Sequence, residues 1–153
     1  MSWTGRLAEL GITLPPVARP AGAYLPAVRT GSLVFTAGQI PLVDGTVAAT
    51  GKVGAEIDAE TAQQLARTCA LNGLAAVDAL VGLDAVSQVV KLVGFVASAP
   101  GFTGQPAVVN GASDLLEEVF GTAGAHARSA VGVAELPLGA PVEVELVVEV
   151  GEG

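Results

Sequence analysis

Seven Lys and Arg residues stand against fifteen Asp and Glu in this chain, and one of the seven sits where its charge has to be answered. Arg128 lies in Ala127-Arg128-Ser129-Ala130-Val131-Gly132-Val133-Ala134, at the mouth of an apolar run with the character of a strand. An unpartnered guanidinium taken into a sheet costs on the order of several kcal/mol, so a carboxylate of the protein or of a ligand should meet it. The protein's own candidates are Glu143 and Glu145 in Val142-Glu143-Val144-Glu145-Leu146-Val147-Val148-Glu149-Val150. Period two places Val142, Val144, Leu146, Val148 and Val150 on one face of that strand and the glutamates on the other. The same period groups Val131 with Val133, opposite Arg128, Ala130 and Gly132. With the valines packed under helices, Arg128 and the glutamates are expected on the far face, which the chain's own helices leave open. An ion pair with Glu143 or Glu145, within one chain or across a subunit boundary, and a bidentate ligand carboxylate both remain open. They are also compatible, since a neighbouring carboxylate would hold the guanidinium fork ready. The glutamates also fit a solvated strand face; buried in an oligomer, they would look to Lys91 and Arg128, and some would have raised pKa values.

Few other residues offer chemistry. His126, the single histidine, could serve as acid or base near neutral pH, while the plainer reading is a loop histidine of no special role. Cys69, the single cysteine, lies on an apolar helical stripe and reads as core. No Ser–His–Asp or Cys–His arrangement emerges from so few candidates. The acids of Glu56-Ile57-Asp58-Ala59-Glu60 suit a helix start better than a metal site, and Gly101 and Gly104 punctuate a loop rather than cradle a phosphate. Neither metal nor cofactor is expected.

The elements that must position these groups follow from periodicity. Trp3 to Leu10 reads as a short helix stopped by Gly11, and Pro15-Pro16-Val17-Ala18-Arg19-Pro20 as a stiff extended lead-in. Ala27–Arg29 and Leu33–Gly38 read as a hairpin, with a third strand or turn at Pro41–Val43 before Asp44-Gly45. From Asp58 to about Val81 the residues Ala62, Leu65, Ala66, Cys69, Ala70, Gly73, Ala76, Val77 and Leu80 recur at helical spacing. Ala85–Ala97 reads as a strand covered on both faces, Pro100–Pro106 as a loop, Ala107–Phe120 as a second helix. Ser129–Ala134 and Val142–Val150 close the chain as strands. The economical arrangement is α+β, with one mixed six-stranded sheet carrying two main helices on one face and a short extra N-terminal helix. Residues 1–19 form the N-terminal helix and lead-in, and 20–153 a single domain.

Composition narrows the function. A net charge of −8 with dispersed cations argues against nucleic-acid binding through phosphates. The longest uncharged run, Leu92–Ser113, is broken by prolines and polar residues and is no membrane-spanning helix. One cysteine and no visible secretory signal fit a cytoplasmic setting. With 51% apolar residues and only 14% charged, a monomer has little polar surface to cover itself, so a homo-oligomer that buries a sheet face is expected.

Phe35-Thr36-Ala37-Gly38-Gln39-Ile40-Pro41 resembles the SGQIP strand of the RidA family, the YjgF-type reactive-intermediate imine deaminases. Ala127-Arg128-Ser129, with Val131, Val133, Ala134, Leu136-Pro137 and Val142-Glu143-Val144-Glu145, resembles that family's C-terminal signature, and the arginine-to-glutamate spacing agrees. The N-terminal helix and the long Ser98–Asn110 loop resemble a divergent branch labelled endoribonuclease L-PSP. The resemblance implies a chorismate-mutase-like fold and a homotrimer with clefts between subunits. It also implies hydrolytic deamination of small 2-imino or 2-enamino acids to 2-keto acids and ammonia. Arg128 would clamp the carboxylate of this small metabolite and Glu143 would orient water. Tyr24, Ala37, Gly38, Asn110 and Ala130 would line the cleft, though the second helix offers Ser113 as well as Asn110 for its cleft position. Ala37 and Ala130 replace hydrogen-bonding residues of the family, which keeps a non-catalytic carboxylate-binding role open beside catalysis. Endoribonuclease activity or inhibition of translation, the family's older labels, fits the charge poorly.

Overall fold

Helix α1 (Trp3–Leu10) opens where the Ser2 hydroxyl accepts the Gly5 amide at 2.9 Å and closes at Gly11, whose left-handed φ of 69° sends the last amides back to the Ala8 and Leu7 carbonyls. In the computed structural model, which describes residues 2–151, this helix is pinned by Trp3. Its indole donates to the Val86 carbonyl at 2.7 Å and its ring meets Phe120 edge-on, centroids 5.1 Å apart.

The strands are β1 (Ala27–Thr30), β2 (Leu33–Thr36), β3 (Leu42–Val43), β4 (Thr46–Val47), β5 (Val86–Ala97), β6 (Ala127–Val133) and β7 (Val142–Val150). Two long helices, α2 (Ala59–Val81) and α3 (Gln105–Phe120), separate them. The sheet order is β1-β2-β7-β5-β6, antiparallel except for the β5–β6 pair, which α3 connects as a crossover. The expected α+β class and mixed sheet hold, but the sheet has five strands rather than six. Leu42–Val47 folds on itself because Asp44 and Gly45 both have positive φ, 52° and 80°, the geometry of a two-residue hairpin turn. The Asn72 side-chain amide donates to the Ile40 and Leu42 carbonyls at 3.2 and 3.1 Å, so α2 rather than a strand takes up those groups. Helix α3 begins two residues before the expected Ala107, at Gln105, with Pro106 in its first turn.

Helices α2 and α3 cover one face of the sheet. Asp58 caps α2, its carboxylate accepting the Thr61 amide at 2.7 Å, and the apolar stripe meets Val142, Val144, Leu146 and Val148 in the core. The far face of β7 carries the half-buried Glu143, Glu145 and Glu149 as expected. Beside them the far face holds the exposed Phe35 and Val131 and the half-buried Val93, Phe95 and Val147. No element among the described residues covers this face of β5, so the full two-sided burial expected for that strand is not seen there. No helix of the described residues is long and apolar enough to cross a membrane.

Helix α3 sits close against α2 at Gly111, where a Cβ would overlap the Gln63 backbone carbonyl. The Gln63 side chain donates to the Ala107 carbonyl at 2.8 Å across the same contact. Gly111→Ala should therefore lower stability by about 1–3 kcal/mol, through forced separation of the helices. Urea unfolding with an unchanged m-value checks it; a variant as stable as the parent would contradict the close approach.

Candidate functional site

Arg128 lies on the helical face of the sheet, not on the far face that the spacing of the valines predicts. Parallel pairing sets Leu92 against Arg128, Gly94 against Ala130 and Val96 against Gly132, and Leu92 and Val96 are fully buried beneath the helices. Arg128, Ala130 and Gly132 therefore point to the helical side, and Val131, 44% exposed, points to the open face. The physical reason is size. Val109 of α3 packs onto Gly94 so closely that a Cβ there would collide. Beneath such a helix the small Ala130 and Gly132 fit and a row of valines does not, which leaves the arginine stem a slot at the sheet edge.

The guanidinium ends against the first half of α3. Its Nη1 donates to Asn110 Oδ1 at 2.8 Å and to Ser113 Oγ at 3.1 Å, and Nη2 donates to the Pro106 carbonyl at 3.2 Å. Asn110 and Ser113 thus both belong to this cluster. The ion pair with Glu143 or Glu145 is absent within the chain: the cation's protein partners are three neutral oxygens. Of its five N–H groups, the Nε–H and one on Nη2 have no partner among the described residues. The first turn of α3 carries no acid, so its helix dipole reinforces the positive field there.

Ser113 leads further, to a residue that the sequence reading set aside. Its Oγ lies 2.9 Å from His126 Nε2, and His126 Nδ1 lies 2.6 Å from the Gly124 carbonyl. A carbonyl only accepts, so Nδ1 carries the proton, and Nε2 of the neutral ring accepts the Ser113 O–H. His126 is thus tied at both ring nitrogens, to α3 and to the turn that follows it. The sequence signal was its place two residues before Arg128, but the approach of helix and loop was not visible in it.

A second cluster forms around the motif at the end of β2. Register runs from Phe35↔Val147 to Gln39↔Val144, one residue longer on the β2 side, so Thr36-Ala37-Gly38 bulges. Thr36 Oγ1 accepts the Leu146 amide at 3.0 Å, and the Ala37 amide turns to the Pro26 carbonyl at 2.8 Å. The bulge lays the Gly38 backbone over Glu143: a Cβ on Gly38 would lie 2.5 Å from Glu143 Oε2. Burial, reinforced by the charge of Glu145, pushes the Glu143 carboxyl above the usual carboxylate range. Tyr24, 49% exposed, shares a cavity of about 200 Å³ with Arg19, Gly38, Gln39 and Leu138. Leu138 was not anticipated; its φ of 59° and 69% exposure place an unusual apolar side chain on that rim. A larger cavity of about 820 Å³, between Thr13–Arg19, the β3–β4 hairpin and α2, adjoins it and does not reach Arg128.

The predicted residues thus separate into two groups within one chain: Arg128, Asn110 and Ala130 on the helical side of edge strand β6, and Tyr24, Ala37, Gly38 and Glu143 around the β2 bulge. Strand β5 stands between β6 and β7, and Glu143 faces the opposite side from Arg128. Cys69 is fully buried, and burial, with the Glu143 charge second, drives its thiol well above its usual range. No cluster of three or more His, Cys, Asp or Glu among the described residues could hold a metal ion.

An α+β chain with a cation on neutral acceptors at a sheet edge, and a glycine bulge over a carboxylate, defines a recognisable class. The model of the Endoribonuclease L-PSP family matches residues 16–150, and the chain belongs to this family, the RidA/YjgF family. It is 48% identical over 145 residues to Protein TCP17 of Trypanosoma cruzi, covering 94% of this chain and 91% of that one. It is 36% identical over 138 residues to a 2-iminobutanoate/2-iminopropanoate deaminase of Dermatophagoides farinae, covering 90% and 93%. The solved structure of Atu1372 from Agrobacterium tumefaciens, a protein of unknown function, superposes with a TM-score of 0.88 at 46% identity over 97% of this chain and 92% of that one.

A carboxyl whose pKa is raised by folding stabilises the native state below its unfolded pKa and loses that contribution as pH rises through the folded value. Glu143→Gln should therefore raise Tm modestly at pH 7, with the gain closing towards pH 4. A pH series of melting curves checks this; a Tm lower than the parent's at pH 7 would mean that the carboxylate stabilises the fold.

Proposed function

We propose that the chain is a hydrolytic deaminase of small 2-imino and 2-enamino acids, acting at clefts between subunits of a homotrimer. The observation that carries this reading is Arg128, held by three neutral oxygens with two N–H groups left over, the pair of donors a carboxylate takes. Family membership and the deaminase among its relatives support it. Trimerisation is supported by the open sheet face, where Val28, Phe35 and Val131 are 50%, 42% and 44% exposed. It is supported too by the separation of the two clusters, which one chain cannot unite.

In this scheme Arg128 fixes the substrate carboxylate, and Glu143 of a neighbouring copy takes a proton from water as the oxygen attacks the imine carbon. The protonated Glu143 passes that proton to the nitrogen to give a carbinolamine; the carbinol O–H proton then moves to the amino group as the C–N bond breaks and the C=O forms, and a 2-keto acid and ammonia leave. The raised Glu143 carboxyl is the better base for that task. An imine is already electrophilic, so no covalent nucleophile is required, and Ala37 and Ala130 are tolerable. Those two alanines also favour a second reading, a non-catalytic receptor for small carboxylates.

Iminopyruvate generated by a coupled dehydratase should disappear faster with the protein present, and Arg128→Ala should lower that acceleration about a hundredfold or more. The parent should sediment as a trimer. Arg128-dependent binding of 2-keto acids without acceleration would select the receptor reading, and equal activity of Arg128→Ala and parent would remove both.

A further inference from the structure

We propose a second ligand site between the lead-in, the β3–β4 hairpin and α2, a pocket for the zwitterion of an amino acid with a large apolar side chain. The cavity there, of about 820 Å³, has the size that small-molecule sites take. It does not reach Arg128, and its inner wall belongs to α2, which covers the face of the sheet opposite the open one.

Three polar groups in its wall have capacity to spare, and Asn72 is the most constrained of them. Its side chain is 2% exposed. Nδ2 spends both hydrogens on the Ile40 and Leu42 carbonyls, at 3.2 and 3.1 Å, which fixes the carboxamide and leaves Oδ1 as its free acceptor. Oδ1 accepts nothing from the described residues, yet no fully buried side-chain oxygen among them lacks a partner. Oδ1 is therefore open to solvent, and the cavity that Asn72 lines is its outlet. An acceptor held in one place at the end of a nearly buried side chain takes a donor from whatever enters.

The other two groups are opposite charges. Arg19 on the lead-in and Asp44 in the hairpin turn both line the cavity. Neither is in an ion pair among the described residues, with the other or with a third group. Arg19 and Gly45 also border the smaller cavity beside Tyr24, so the arginine and the hairpin tip stand at the same end. Asn72 belongs there too, since its amide holds Leu42, two residues before Asp44.

A cation facing an acid and a neutral acceptor suits a ligand with a carboxylate and an ammonium on one carbon. Arg19 takes the carboxylate. The ammonium, with three donors, is shared by Asp44 and Asn72 Oδ1. A plain carboxylate would meet the charge of Asp44, and a plain amine that of Arg19. The rest of the wall sets the side chain. Leu14, Pro15, Pro16 and Val17 line the cavity from the lead-in and Leu71 from α2, and the ring-locked backbone of the prolines keeps that wall in place. An aliphatic or aromatic side chain covers this surface and a methyl group does not.

The test is isothermal titration of the full-length protein with L-leucine and L-phenylalanine, with their analogues lacking the amino or the carboxyl group, and with L-alanine. At least one of the two amino acids should bind saturably, and its analogues and L-alanine about tenfold or more weaker. Arg19→Ala and Asp44→Asn should each weaken the amino acid by a similar factor. Both positions are exposed, and asparagine keeps the left-handed turn backbone of Asp44, φ 52°. Asp44→Asn should leave the analogue without the amino group bound as well or better, because the repelling acid is gone. Arg128→Ala should bind as the parent does, which separates this site from the clamp. Binding of neither amino acid, or binding indifferent to either Arg19→Ala or Asp44→Asn, would overturn the second site and leave the clamp untouched. Binding lost in Arg128→Ala would place the amino acid at the clamp instead and overturn it equally.

Discussion

The site depends on how one cation is held. A buried or half-buried arginine usually finds a carboxylate, which neutralises it and ends its interest in anions. Here the acceptors are a carboxamide, a hydroxyl and a backbone carbonyl, all on α3. They fix the plane of the guanidinium and satisfy three donors while leaving the full positive charge. In a chain of net charge −8, that local field is maintained against the global one. The rest of the architecture serves it. Gly94 lets Val109 of α3 sit down on the sheet and Gly132 makes way for Gln105 and Ser98, and the crossover from β5 to β6 sets Asn110 and Ser113 over the strand.

The carboxylate at the other cluster is held in the opposite sense. Glu143 lies under the backbone of a bulge, on a face it shares with Glu145 and apolar neighbours, and it resists ionisation. Stability and chemistry diverge at such a position: a neutral isostere suits the fold better, and an ionisable group suits proton transfer. Gly38 is part of the same arrangement, since any side chain there would occupy the place of the carboxylate.

Much of this was legible in the sequence, and unevenly so. Both long helices, the closing strand and its inward valines follow from period alone, while Asp58 marks the start of α2 and Gly11 the end of the short α1. Arg128 was found by its company, but its face was misassigned. Val131 and Val133 suggested an inward row, whereas packing against α3 at an edge strand selects the smaller Ala130 and Gly132. Period two says which residues share a face and not which face is covered. Pro41–Val43 reads as a third strand or a turn, and it becomes one arm of a separate hairpin because the decisive group, the Asn72 amide, comes from α2, 30 residues beyond Leu42. His126 and Ser113 are thirteen residues apart, and only the turn that reverses the chain after α3 makes them neighbours.

The central claim is that Arg128 is reserved for an organic anion in a cleft that two copies complete. Its most direct test is a crystal structure of the assembled protein soaked with 2-oxobutanoate. The account predicts the carboxylate on Nε and Nη2 of Arg128, with Gly38 and Glu143 of an adjacent copy across the ligand. A neighbouring copy's carboxylate locked onto those two donors, or a guanidinium left in open solvent far from any bulge, would contradict it.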